Sequence, residues 1–141
     1  MSLQRMDHVG VIVDDLEGAI EFFTELGLEV RGRFSVGGAD VDRIVGLEGV
    51  ENDAAMLQTP DGHSRLELIR FNAPPAEGDA HGPANTRGLR HLCFAVDGIE
   101  DTISRLGAEL VGELVDYGNS FRLCYLRGPE GIIVELAEKI G

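Results

Sequence analysis

The chain has 141 residues, 43% hydrophobic and 26% charged, with a formal net charge of −13, which predicts one globular domain (1–141) large enough to bury a core. So acidic a balance excludes nucleic acid and an anionic membrane surface as partners, because both demand concentrated Lys and Arg. A few arginines can still make a local pocket for an anionic small molecule. No apolar run approaches the ~20 residues of a membrane span, and the start of the sequence shows no charged stretch followed by an apolar run of the signal-peptide kind. Cys93 and Cys124 make neither a metal-ligand pair nor a disulfide framework. These features together predict a cytoplasmic protein with reduced thiols.

Residues 6–13, MDHVGVIV, are rich in β-branched side chains and read as a strand. Asp14 or Asp15 can cap the following helix, in which Leu16, Ala19, Ile20, Phe23 and Leu26 recur at helical spacing. Gly27 ends it. Residues 28–34 read as a second strand. The stretch 35–53 is an insertion with a Gly37-Gly38 turn and a short helix in ADVDRIVGL. AAMLQT (54–59) is a third strand, PDG a turn, and SRLELIRF (64–71) a fourth. Residues 72–88 hold Pro, Gly and small polar residues without periodicity and read as a linker. The pattern then restarts with a strand RHLCFAV, a helix over 98–106, a strand AELVGEL (108–114), a loop DYGNS, a strand FRLCYL (121–126), the turn RGPEG and a last strand IIVELA.

The chain is thus a duplication. DHVGVIVDDL at 7–16 aligns without a gap on RHLCFAVDGI at 90–99, placing His8 on His91. TPDG leads into SRLELI with Glu67, as GPEG leads into IIVELA with Glu135. Detecting a repeat of this length fixes the architecture. The predicted fold is α+β: two βαβββ modules, 5–71 and 89–140, forming a curved mixed sheet with helices outside and a central cleft.

Strand alternation orients the repeated residues. With Val9, Val11 and Val13 packed against a helix, His8, Gly10 and Ile12 face the other way. Packing Leu66 and Leu68 leaves Arg65, Glu67 and Ile69 opposite. Packing Leu92, Phe94 and Val96 leaves His91, Cys93 and Ala95 opposite, and packing Ile132, Val134 and Leu136 leaves Glu135 opposite. Two His and two carboxylates therefore share the non-helix faces, which is the donor set of a divalent metal site.

DHVGVIVDDLEGAIEFF, GLRHLCFAVDGIE and GPEGIIVEL resemble the vicinal oxygen chelate superfamily, which includes glyoxalase I, methylmalonyl-CoA epimerase, extradiol dioxygenases, fosfomycin-resistance transferases and bleomycin-resistance proteins. The resemblance runs from Met6 to Lys139. It implies a divalent ion (Zn, Ni, Co, Mn or Fe) held by His8, Glu67, His91 and Glu135. A carboxylate on the fourth strand resembles the glyoxalase and epimerase branches; the dioxygenases resemble a two-His, one-Glu site instead. Two positions depart from those branches. Ile12 stands where glyoxalase I carries a glutathione-holding Arg, and AAMLQ lacks the extra catalytic Glu of the epimerases, although Glu51 and Asp53 precede it.

The expected reaction is proton transfer next to a carbonyl, a glyoxalase-type lyase or an epimerase reaction on a small metal-chelating substrate. Glu135 is the first candidate base and Glu67 the second. Arg65, Arg122, Tyr117, Asn119 and Cys93 are candidate substrate contacts, while His63 and His81 read as solvated loop residues. Two rival readings are Fe(II)-dependent oxygenation through His8, His91 and Glu135, and a non-catalytic binding or resistance protein. The resemblance also implies a homodimer.

Overall fold

A computed structural model describes residues 2–141. The chain divides into two compact units, Met1–Glu77 and Gly78–Gly141. Their boundary falls inside the segment read as a linker.

The first unit runs β1 (Val9–Ile12), α1 (Leu16–Leu26), β2 (Glu29–Gly37), α2 (Ala39–Val45), β3 (Glu51–Gln58) and β4 (Arg65–Ala73). The second runs β5 (His91–Ala95), α3 (Ile99–Leu106), β6 (Val115–Tyr117), β7 (Phe121–Arg127) and β8 (Ile133–Lys139). Each unit builds one four-stranded mixed sheet, in the orders β1-β4-β3-β2 and β5-β8-β7-β6. In each, the first strand pairs parallel to the last and the other pairings are antiparallel. The duplication read from the sequence is therefore a duplication of topology.

Asp15 caps α1, its Oδ1 accepting from the Gly18 amide at 2.9 Å. The apolar stripe Leu16, Ala19, Ile20, Phe23 and Leu26 is buried against Ala55, Leu57, Leu66 and Leu68 of the sheet. Burying such side chains contributes roughly 1.5–3 kcal/mol each, which holds the sheet's other face in place. Helix α3 begins at Gly98, which has no side chain to cap it. The Glu138 carboxylate of β8 serves instead, accepting from the Gly98 amide at 2.6 Å and the Ile99 amide at 3.3 Å. Helix α2 buries no residue. It is tied back by Asp42, whose carboxylate accepts from the Gly49 and Val50 amides, both at 2.9 Å.

Several boundaries differ from the sequence reading: β1 starts at Val9 rather than 6, and β2 runs to Gly37, into the expected insertion. β3 starts at Glu51 rather than 54, so Asp53 lies within the strand. β4 runs to Ala73, into the expected linker. The strand expected over 108–114 is displaced. Only Glu109 to Val111 pair there, through Arg127 N to Glu109 O at 2.9 Å and Val111 N to Tyr125 O at 2.8 Å. The chain leaves the sheet around Gly112 and rejoins at Val115, because the pairs Leu110↔Leu126 and Val115↔Leu123 leave surplus residues on this side of the ladder. Alternation alone cannot register an excursion of that kind. Asp116 and Tyr117 accordingly belong to β6, not to a loop. Among the described residues, no helix is long and apolar enough to cross a membrane.

Candidate metal centre

The register of each parallel pair sets its candidate ligands side by side. Gly10 lies opposite Glu67 and Cys93 opposite Glu135. His91 stands two residues before Cys93 within β5, on the same face; His8, expected on the first strand, instead lies just before β1, which begins at Val9, so its contact with Glu67 rather than alternation places it. His8 Nε2 lies 3.5 Å from Glu67 Oε1, and His91 Nε2 lies 3.2 Å from Glu135 Oε1. The side chains are partly shielded: 36% exposed for each His, 21% for Glu67 and 17% for Glu135. Each module thus contributes one imidazole–carboxylate pair. Among the described residues, no three His, Cys, Asp or Glu side chains gather into a group that could hold a metal ion.

Behind each imidazole stands a different group. His8 Nδ1 is 2.8 Å from Asp7 Oδ2. Asp7 Oδ1 accepts from Arg65 at 2.6 Å and Arg5 at 3.0 Å. The hydrogen bond from His8, and then those arginines, hold the Asp7 carboxyl below its ordinary range. His91 Nδ1 instead meets the Tyr125 hydroxyl at 3.4 Å, with ring centroids 4.9 Å apart. Tyr125 pairs with Glu135 across β7 and β8, so it shares that face.

Cys93 stands beside Glu135. Although the residue is exposed, partial desolvation of the sulfur first, then the Glu135 charge and a hydrogen bond to it, push the thiol up to about 11. Cys93 is therefore a neutral thiol at neutral pH, able to donate but not to attack.

The candidate substrate contacts fare differently. Arg65 shares the Glu67 face, but its guanidinium is committed to Asp7. Arg122 pairs with Glu138 and lies on the helix side of its sheet. There it binds Asp116 at 3.0 Å and Glu100 at 2.5 Å, away from the face of His91 and Glu135. Tyr117 pairs with Phe121 and shares the Glu135 face, well exposed at the far end of β6. Asn119 sits in the turn with φ of +58°, a conformation Asn tolerates better than most residues; the turn itself accounts for it. Ile12 is exposed on the His8 face. Asp53 does not replace the missing epimerase Glu. It pairs with Arg70, on the face of Leu66 and Leu68, and accepts from Ser35 at 2.8 Å and Asn72 at 3.0 Å. His81 lies against Gly131 in the second unit, where Arg127 donates to the Gly82 and Gly131 carbonyls at 3.1 and 2.8 Å.

Sequence reasoning passed over Asp7 and Tyr125. Tyr125 was open to the alternation argument, since Cys124 and Leu126 are the packed residues of FRLCYL. Asp7 was not. Neighbouring residues in a strand point to opposite faces, but β1 begins only at Val9, so Asp7 is free to fold back on His8.

The family model for the glyoxalase/bleomycin resistance protein/dioxygenase superfamily matches residues 5–136. The chain belongs to this superfamily. A crystal structure of a glyoxalase family protein from Bacillus cereus is 48% identical, with a TM-score of 0.96, covering 100% of this chain and 97% of that one. An uncharacterized protein of Bacillus subtilis, YwbC, is 28% identical over 96% of this chain and 98% of its own length. The lactoylglutathione lyase of Schizosaccharomyces pombe is 26% identical over 99% of this chain, which spans 49% of that enzyme. Membership explains why the two units repeat one topology.

Proposed function

We propose that this superfamily member is a divalent-metal-dependent lyase or isomerase, acting as a homodimer, that moves a proton on the carbon next to a carbonyl of a small oxygenated substrate. One observation carries the reading: both modules set the Nε2 of a His at or just before the first strand against a last-strand carboxylate, at 3.5 and 3.2 Å. A charge-assisted hydrogen bond between such groups closes to ~2.7–2.9 Å. Two ligands of one ion, with bonds of ~2.1 Å, stand about 3.0 Å apart at a right angle and about 3.4 Å at a tetrahedral one. The spacing and the donor types fit adjacent ligands of a cation. Pooled, His8 with Glu67 and His91 with Glu135 would offer a donor set suited to Zn, Ni, Co, Mn or Fe.

When bound, such an ion supplies Lewis-acid stabilisation of the charge that develops on a substrate oxygen. The chain's own part is the proton. Glu135 takes it at a carboxylate oxygen and returns it to the neighbouring carbon. Its neighbours are the Cys93 thiol and the Tyr125 hydroxyl, which can orient a carboxylate by hydrogen bonding. Glu67 stands nearer the Arg65–Asp7 bridge and is the second choice.

The test follows hydrogen–deuterium exchange next to the carbonyl by NMR, using adducts of 2-oxoaldehydes with thiols and α-chiral carbonyl compounds, with each metal in turn. Metal-dependent exchange that falls roughly 10²–10⁴-fold in Glu135→Gln is expected. Full exchange in Glu135→Gln removes the base assignment. Turnover that consumes oxygen instead replaces proton transfer by oxygenation.

A further inference from the structure

We propose that Asp7 is a positioning residue that presets His8 as an Nε2 ligand, and that Arg65 serves the site by anchoring Asp7 rather than by binding substrate. The inference rests on the reading of His8 as a metal ligand and extends it to residues outside the ligand set.

An ionised carboxylate can only accept hydrogen bonds. With Asp7 Oδ2 2.8 Å from His8 Nδ1, the ring's proton belongs on Nδ1, which leaves the Nε2 lone pair facing Glu67. The carboxylate is itself held. Its other oxygen accepts from two guanidinium groups, Arg65 from β4 at 2.6 Å and Arg5 at 3.0 Å. Arg65 lies one β4 residue before Leu66 and two before Glu67, so the strand that presents the carboxylate ligand also fixes the residue that orients the His. Ligating imidazoles generally need such a partner on the second nitrogen, and losing it costs ~10–100-fold in metal affinity.

The repeat makes the contrast informative. His91 occupies the equivalent position, yet its Nδ1 faces the Tyr125 hydroxyl at 3.4 Å. A phenol can donate or accept, so either tautomer of His91 is compatible with that contact. The two imidazoles share a place in the repeat but not a state: His8 is fixed before the metal arrives, and His91 is fixed by its arrival.

Long-range nitrogen–proton NMR correlations of the metal-free protein, recorded well above neutral pH, read each ring's tautomer directly. His8 is expected as the Nδ1–H form in the wild type, shifting toward Nε2–H in Asp7→Ala, with His91 unmoved. His8 as Nε2–H in the wild type overturns the proposal without any variant, and an unchanged His8 in Asp7→Ala does the same. Titration with Zn2+ and Ni2+ is the second readout. Asp7→Ala is expected to weaken binding ~10–100-fold, and unaltered affinity overturns the positioning role. A wild-type protein that binds neither ion overturns the metal reading alone, since the tautomer measurement stands without metal.

Discussion

Asp53 shows how a carboxylate near a candidate site can belong to the scaffold. Its oxygens accept from Ser35 on β2 and Asn72 on β4, and these two hydrogen bonds hold its carboxyl below the ordinary aspartate range. A depressed folded pKa contributes stability that is fully present above the unfolded value of ~3.9 and is lost as pH falls through the folded value. Asp53→Asn is therefore expected to lower the urea midpoint near neutrality, with the gap from wild type closing below about pH 4. A gap that widens in acid contradicts this assignment. The same residue marks a limit of reading from sequence. Its place one residue before AAMLQ made it a conceivable acid or base, and only the register with Arg70 turns it to the helix side. Asp7 is the converse: too close to His8 for alternation to place, and legible only once β1 is seen to start at Val9.

At the scale of elements, β1 just after His8 and the strands that carry Glu67, His91 and Glu135 were legible because each has one packed face of apolar residues. A one-residue slip would expose that whole set, so the pattern fixes orientation firmly. The segment 108–114 was not legible, since Ala, Leu, Val and Leu fit a strand equally well whether or not it bulges. Helix α3 was legible in extent but not in its support. Its start lacks a capping side chain, and the cap comes from Glu138, forty residues on in the chain. Removing an N-cap acceptor typically costs ~0.5–2 kcal/mol. Glu138→Ala is expected to lower stability within that range in a denaturant titration. An unchanged midpoint would mean that water serves the Gly98 amide equally well. Because Glu138 is on the helix face, the variant should leave metal affinity untouched, which separates loss of scaffold from loss of site.

At the scale of the whole molecule, the duplication carried most of what the sequence revealed: two modules, one topology, and a His and a Glu at matching places in each. What it could not carry is the difference between the halves. Asp7 behind His8, Tyr125 behind His91, and the α2 insertion in the first module alone all lie outside the repeated motifs. The difference makes the metal count decisive. If one pair of each kind completes a single ligand set, the protein binds one ion per chain, and His8→Ala and His91→Ala each abolish it. Two self-sufficient pairs would instead give two weaker ions per chain, with each variant keeping one. Ligand binding to the folded state adds stability of RT ln(1 + [L]/Kd), about 2.7 kcal/mol at a hundredfold excess over Kd. Thermal melts with added Zn2+ or Ni2+ therefore report the same distinction without an activity assay. One shared ion predicts that either single variant loses the whole metal-induced shift in Tm. Retention of half the shift in each variant would mean that the pairs act separately, and that the repeated His and Glu are two sites rather than two halves of one.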